Sequence, residues 1–369
     1  MITAESALLP AYWEDDGDES LEAAEDFRAR SLRQRPTPPR SWSLQKALRL
    51  GRFHFYVDAF AKKFVETTLT KTPSNQPQYP VTNQEICRIQ RALYRFQLFC
   101  NLERTAVNIN CNDDFFTKCF DIFEHEQLFC IYYFLVRAVL PAFDDVAEHD
   151  VAWGAWNIRS ISGPNGSSYL TSKYTQSLLS LGLKKVYEIA SAETYEQRYR
   201  VLDAERRPRP SDFLYRKLDF LRLMRGRPSR WTAPEPFFDD PNSGSRDAIE
   251  WREAGCDTGL GEYYHEKLSE WGYVMWDRVR LETVGIFEEP WGNEAQMRRD
   301  RRFRIDEIYS RYKIMEKSWL RRESISKAGG SGWWSWDDES QVRWEKEGTS
   351  GLLGFLTEVL AEITPDAEQ

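Results

Sequence analysis

Apolar positions recur every three or four residues along most of this chain, a spacing that predicts helices rather than strands. Ile86, Ile89, Leu93, Phe96 and Cys100 fall on one face of a segment opened by Thr82 and Glu85. That pair reads as a capping box, each side chain satisfying an orphan amide of the first turn, and it predicts a helix over 83–101. Arg88, Arg91 and Arg95 flank the apolar face. Asp121 and Glu124 repeat the signal before "QLFCIYYFLVRAVLP", which is apolar nearly all round. This segment predicts a central buried helix over 122–140, ended by Pro141. Leu44, Ala47, Leu48, Phe55, Phe60 and Phe64 predict an earlier helix, broken by "TPSNQPQYP". Further helical patterns cover 169–181, 193–206, 212–224, 262–283 and 300–324, and "GLLGFLTEVLAEI" closes the chain. No segment alternates over several strands. The expected fold is all-α, an irregular multi-helix bundle with long loops, its central helix surrounded by 83–101, 262–283 and 300–324.

Breaks in the pattern set the organisation. Residues 1–41, acidic and then dotted with proline and arginine ("RQRPTPPR"), predict a disordered acidic N-terminal arm. The helical domain is expected over 42–362, with a subdomain boundary at the "SISGPNGSS" loop of 160–168 and a tail over 363–369. "RGRPSRWTAPEPFFDDPNSGS" reads as a long proline-rich surface excursion.

Composition narrows the setting. The 369 residues are 41% hydrophobic and 14% aromatic, enough to bury a large core. The longest apolar run, Leu128 to Val136, is nine residues, far short of the ~20 needed to cross a bilayer. The first residues, "MITAESALLPAYWEDD", show no secretory signal pattern. Six cysteines (Cys87, Cys100, Cys111, Cys119, Cys130, Cys256) form no CxxC pair and no zinc spacing. A protein of the cytoplasm or nucleus, neither secreted nor on a membrane, is expected.

The net charge of −8 is unevenly laid out. Residues 1–27 carry nine acidic side chains and no basic one, whereas 198–230 carry eleven Arg/Lys against four Asp/Glu. "RRDRRFR" (298–304) adds five arginines in seven positions. Arg206, Arg207, Arg209, Arg298, Arg299, Arg301 and Arg302 are the candidate interaction residues, because arginine beside aromatic residues suits phosphate contact and base stacking. Nucleic acid is the alternative partner, but acidic residues interleaved along 300–324 and a pI near 5.4 imply weak binding.

Other constellations lead to no chemistry. "GGSGWWSWDD" (329–338) has neither a phosphate-loop spacing nor three rings able to point one way, so it reads as a glycine turn that buries tryptophans. "FDDVAEHD" (143–150) resembles the aspartate-rich motif of class I terpene synthases, and "DDFFTKCFD" (113–121) loosely resembles their second metal motif. Their order is reversed, and a central helix of ~28 Å separates Asp121 from Asp144. The pairs Asp121/His125 and Asp145/His149 are i, i+4 neighbours of the kind usual in surface ion pairs. No catalytic, metal-binding or cofactor-binding residue is assigned, and no cofactor is expected.

"TNQEICRIQRALYRFQLFCNLE", "FEHEQLFCIYYFL" and "WGYVMWDRVRLETVGIFEEPW" resemble blocks of an uncharacterised protein family of filamentous fungi. The resemblance spans roughly 82–344 and implies a helical core. Some of those proteins carry an F-box near the N-terminus, whereas residues 1–50 here show no leucine-rich F-box pattern. The expected function is non-enzymatic, that of a protein-interaction or regulatory protein with an unidentified protein partner. The alternatives are a nucleic-acid-binding protein using 198–230 and 298–304, and a magnesium-dependent terpene-synthase-like enzyme.

Overall fold

The computed structural model describes residues 43–71, 79–103, 120–155, 173–203, 242–254, 267–287 and 294–344, together with Phe116, Tyr215, Leu218 and Asp240. The acidic arm, Arg206, Arg207, Arg209 and the closing "GLLGFLTEVLAEI" lie outside these residues. The described chain is all-α. Its helices are α1 (Leu44–Leu69), α2 (Asn83–Glu103), α3 (Ile122–His149), α4 (Val151–Ala155), α5 (Lys173–Ser180), α6 (Leu183–Ala190), α7 (Tyr195–Asp203), α8 (Ser245–Ala254), α9 (Arg278–Val284) and α10 (Glu294–Lys327). A 3₁₀ turn covers Tyr273–Met275, and the described strands are an antiparallel pair, β1 (Gly330–Ser331) and β2 (Arg343–Trp344).

Several elements differ from the sequence pattern. Helix α3 runs through Pro141 to His149. Proline removes only its own amide, and Ala142, Phe143, Val146 and Ala147 continue the buried face beyond it. The expected 262–283 helix is interrupted at Gly272, whose φ of 70° is left-handed, and α9 starts afresh after Asp277. Glycine is required there twice over, since a Cβ would lie 2.5 Å from the Phe64 ring. Helix α6, absent from the sequence reading, begins after Gly182 and buries Leu183, Val186 and Ile189.

The described residues divide into two compact units, one within 1–144 and 160–312 and the other within 145–159 and 313–369. In the first, α1 packs on α2 and α6, and α2 packs on α5 and the 3₁₀ turn. Phe60, Phe64, Ile89, Phe96, Phe99, Ile131, Leu135, Val186, Trp271 and Trp276 are buried in its core. Charged side chains are buried with partners. Arg88 donates to Asp240 (3.0 and 2.9 Å), Asp277 (2.9 Å) and the Met275 carbonyl. Arg95 pairs with Glu124 and donates to Gln127 at 2.8 Å; burial lowers its pKa, opposed by the Glu124 carboxylate. Arg252 pairs with Glu126 at 3.1 Å and donates to the Tyr273 hydroxyl at 2.7 Å. Such ions stay charged in an interior only where oxygens answer their donors.

The second unit is small, with Val151, Ile325, Trp334 and Val342 as its apolar cluster. The tryptophan turn is sewn to the end of α3 by backbone bonds, Trp334 N–H to His149 O at 2.8 Å and Val151 N–H to Gly332 O at 2.9 Å. The three tryptophans take three positions. Trp334 is buried, Trp333 stacks on His149 with centroids 5.2 Å apart, and Trp336 meets Trp334 edge-on at 4.9 Å while remaining 57% exposed.

Candidate interaction surface on α1

Helix α1 has two apolar faces, and only one meets the core. Val57, Phe60, Ala61, Phe64 and Thr68 are buried, and at ~100° per residue they share one side of the helix. Ring contacts anchor that side: Phe60 to Phe134 (6.1 Å) and Tyr187 (5.9 Å), Phe64 to Phe134 (5.2 Å) and Trp276 (6.3 Å). Leu44, Leu48, Gly51 and Phe55, spaced four, three and four, project from the opposite side. Leu44 is 77% exposed, Leu48 55% and Phe55 56%. A Cβ added to Gly51 would meet nothing within 4 Å. Lower on that side, the exposed Lys62 and Glu66 are what a solvent face normally carries. The first three turns therefore present an apolar seam where a polar surface is expected.

The seam is narrow and flanked by one sign of charge. Residues 44–57 contain Lys46, Arg49 and Arg52 and no acidic residue, and Arg49 and Arg52 are exposed. The first carboxylate along the helix, Asp58, is 2.7 Å from Lys62. The seam's lower end is held in place by aromatic contacts. Phe53 lies 5.7 Å from the Tyr94 ring, His54 Nδ1 is 3.0 Å from the Tyr94 hydroxyl, and Phe55 meets Tyr187 edge-on at 5.5 Å. Burial pushes the Tyr94 pKa up to about 12.

Of the arginines singled out in the sequence, Arg298, Arg299 and Arg302 are exposed on α10, and Arg301 belongs to the same helix. The terpene-synthase-like aspartates Asp144 and Asp145 sit on α3, which Asp121 immediately precedes, so one helix runs between them. Among the described residues, no group of three or more His, Cys, Asp or Glu is gathered as a metal site. Both histidines of the i, i+4 pairs contact backbone carbonyls, His125 Nε2 with Phe116 O at 3.1 Å and His149 Nδ1 with Trp334 O at 2.9 Å.

Sequence reading passed over the seam because it merged both apolar faces of α1 into one helical pattern. The signal was a change of phase: 44, 48, 51 and 55 follow one line along the helix, and 57, 60, 61, 64 and 68 follow another. Compared with protein-family models, curated proteins and solved structures, the chain matches none.

Proposed function

We propose that the protein is a non-enzymatic interaction protein that docks an acidic amphipathic helix of a protein partner along the first three turns of α1. The observation that carries this reading is the exposed seam Leu44–Leu48–Gly51–Phe55, with arginine on its flanks and no carboxylate along residues 44–57 of the helix. Spacing of four, three and four is that of a helix-pairing seam, into which a partner's apolar side chains interlock. Gly51 leaves open space along the seam. Burying Leu44, Leu48 and Phe55 contributes at most about 1.5–3 kcal/mol each, and the cost of association offsets much of it, so weak binding is expected.

The test uses the full chain and a designed helical peptide with a leucine seam and glutamate flanks, followed by fluorescence anisotropy. Weak, saturable binding, on the order of millimolar to high micromolar, is expected. It should weaken with salt, disappear in Leu44→Asp and Leu48→Asp, and be absent for a peptide of the same seam with lysine flanks. Both leucines are exposed, so the variants keep the fold. Equal binding of both peptides overturns the reading. So does binding of anionic phospholipid vesicles or duplex DNA in place of the acidic peptide.

A further inference from the structure

The α1 seam starts where the acidic arm joins the helical domain. Leu44, the first seam residue, lies one position past Ser43, where the described chain begins. The arm is therefore tethered at the seam's own end. Residues 1–27 carry nine acidic side chains and no basic one. The sixteen residues that join them to the seam, 28–43, carry five arginines and no acid, so 1–43 as a whole remains acidic. Along the seam, Arg49 and Arg52 are exposed, and no carboxylate occurs over 44–57 of the helix. The two charge layouts are complementary.

Within the arm, "DESLEAAEDF" (18–27) combines acid with an apolar repeat: Leu21, Ala24 and Phe27 recur every three residues among Asp18, Glu19, Glu22, Glu25 and Asp26. An apolar line flanked by carboxylates is the chemistry the seam is suited to take. The arm's other apolar stretch, "LLPAYW" (8–13), is a poorer match, because Pro10 interrupts any continuous helical line. Geometry permits the contact. Sixteen residues reach up to about 55 Å when extended, whereas the seam runs only about 17 Å from Leu44 to Phe55.

We infer that residues 18–27 occupy the α1 seam within the same chain, Leu21 and Phe27 against Leu44, Leu48 and Phe55, and the carboxylates against Arg49 and Arg52. An outside partner must displace them, so the arm regulates the site proposed above; the inference rests on that reading of the seam. A tether of this length holds the segment at an effective concentration of about a millimolar. That is comparable to the weak affinity three apolar side chains support, so occupancy is partial and falls with salt.

The test uses the full chain in three forms: the parent, a charge variant (Glu19→Gln, Glu22→Gln, Glu25→Gln and Asp26→Asn) and an apolar variant (Leu21→Ser and Phe27→Ser). Leu48→Cys is added to each, and alkylation of the introduced thiol is followed by peptide mass spectrometry, which separates it from the exposed Cys87. The buried Cys100 and Cys130 report in the same spectra that the fold is kept. Both arm variants should label about two- to tenfold faster than the parent at low salt, with the charge variant's gain closing at high salt. Without Leu48→Cys, the same arm variants should bind the glutamate-flanked peptide tighter than the parent by a similar factor. Equal labelling of parent and variants overturns the inference, whether or not the peptide binds. So does faster labelling in the charge variant alone, which would bring the carboxylates near α1 but leave the seam uncovered. Faster labelling of both variants without any peptide binding keeps the inference and overturns the acidic-helix partner instead.

Discussion

Glu85 and Arg280 are joined through both carboxylate oxygens, Arg280 Nε to Oε1 and Nη2 to Oε2, each at 2.8 Å. The same carboxylate accepts the Thr82 amide at 2.9 Å and the Asp277 amide at 3.0 Å. Thr82 Oγ1 in turn accepts the Glu85 amide at 3.1 Å. One buried acid thus caps α2, holds the start of α9 and neutralises an arginine from a segment 195 residues away.

Removing that acid should be severe. Glu85→Ala leaves Arg280 buried without its bidentate partner and removes the acid's half of the capping box, a loss expected at about 3–5 kcal/mol. Urea unfolding followed by far-UV circular dichroism measures it. A midpoint within error of the parent would show that water replaces the carboxylate at little cost.

The capping box itself was legible because it is local: four consecutive residues contain both partners. That Glu85 also holds Arg280 was not legible, since no sequence periodicity links positions so far apart. The end of α3 was misjudged because Pro141 was weighed as a local breaker while the buried face continued through Phe143 and Val146. The 262–283 segment has helical spacing throughout, yet it turns at Gly272, whose φ of 70° is left-handed and where Phe64 fills the space a side chain would need. The α1 seam was missed for a different reason. Periodicity reports that a face is apolar but not what covers it.

Tyr94 should remain neutral where ordinary tyrosines ionise. Burial raises its pKa to about 12, so its contribution to stability is full below the unfolded value of about 10 and is lost as pH rises from there toward 12. Phenolate absorbance of the folded protein, compared with Tyr94→Phe, should show the difference only at the alkaline end. A difference appearing near pH ~10 would mean that the ring is solvated.

Gly154 lies against a buried arginine. An added Cβ would stand 2.4 Å from Arg322 Cβ. Arg322 has little room to yield, since it donates to the Ala147 and Asp150 carbonyls and, through Nε at 3.2 Å, to Ser318 Oγ. Alanine normally favours a helix by about 1 kcal/mol over glycine. At this position overpacking of about 1–3 kcal/mol should outweigh that gain, so Gly154→Ala is expected to destabilise. Thermal melts decide the sign, and a raised midpoint would show that Arg322 rearranges freely.

The tryptophan turn should loosen in acid, and Glu339 is the residue that makes this testable. Its Oε1 accepts Arg321 Nη2 at 2.7 Å and Nε at 3.0 Å, and Trp334 Nε1 at 3.3 Å. Those bonds, Arg321 first and Trp334 second, hold its carboxyl below the usual range. Asp337 and Asp338 are lowered as well, mainly by the Ser335 and Ser340 hydroxyls. A depressed folded pKa means that the unfolded chain takes up protons first. The stabilisation is therefore complete above the ordinary carboxylate value of about 4.3 and disappears as pH falls through the lower folded value. Glu339→Gln removes the titrating group while keeping an oxygen for Trp334 and Arg321. The parent should be more stable than this variant at neutral pH, with the gap closing below pH ~4. Urea midpoints of both proteins across that range provide the check. The solvent exposure of the pair predicts a modest gap that shrinks with salt. A gap that stays constant with pH would show that the Arg321–Glu339–Trp334 bonds do not depend on the carboxylate's charge.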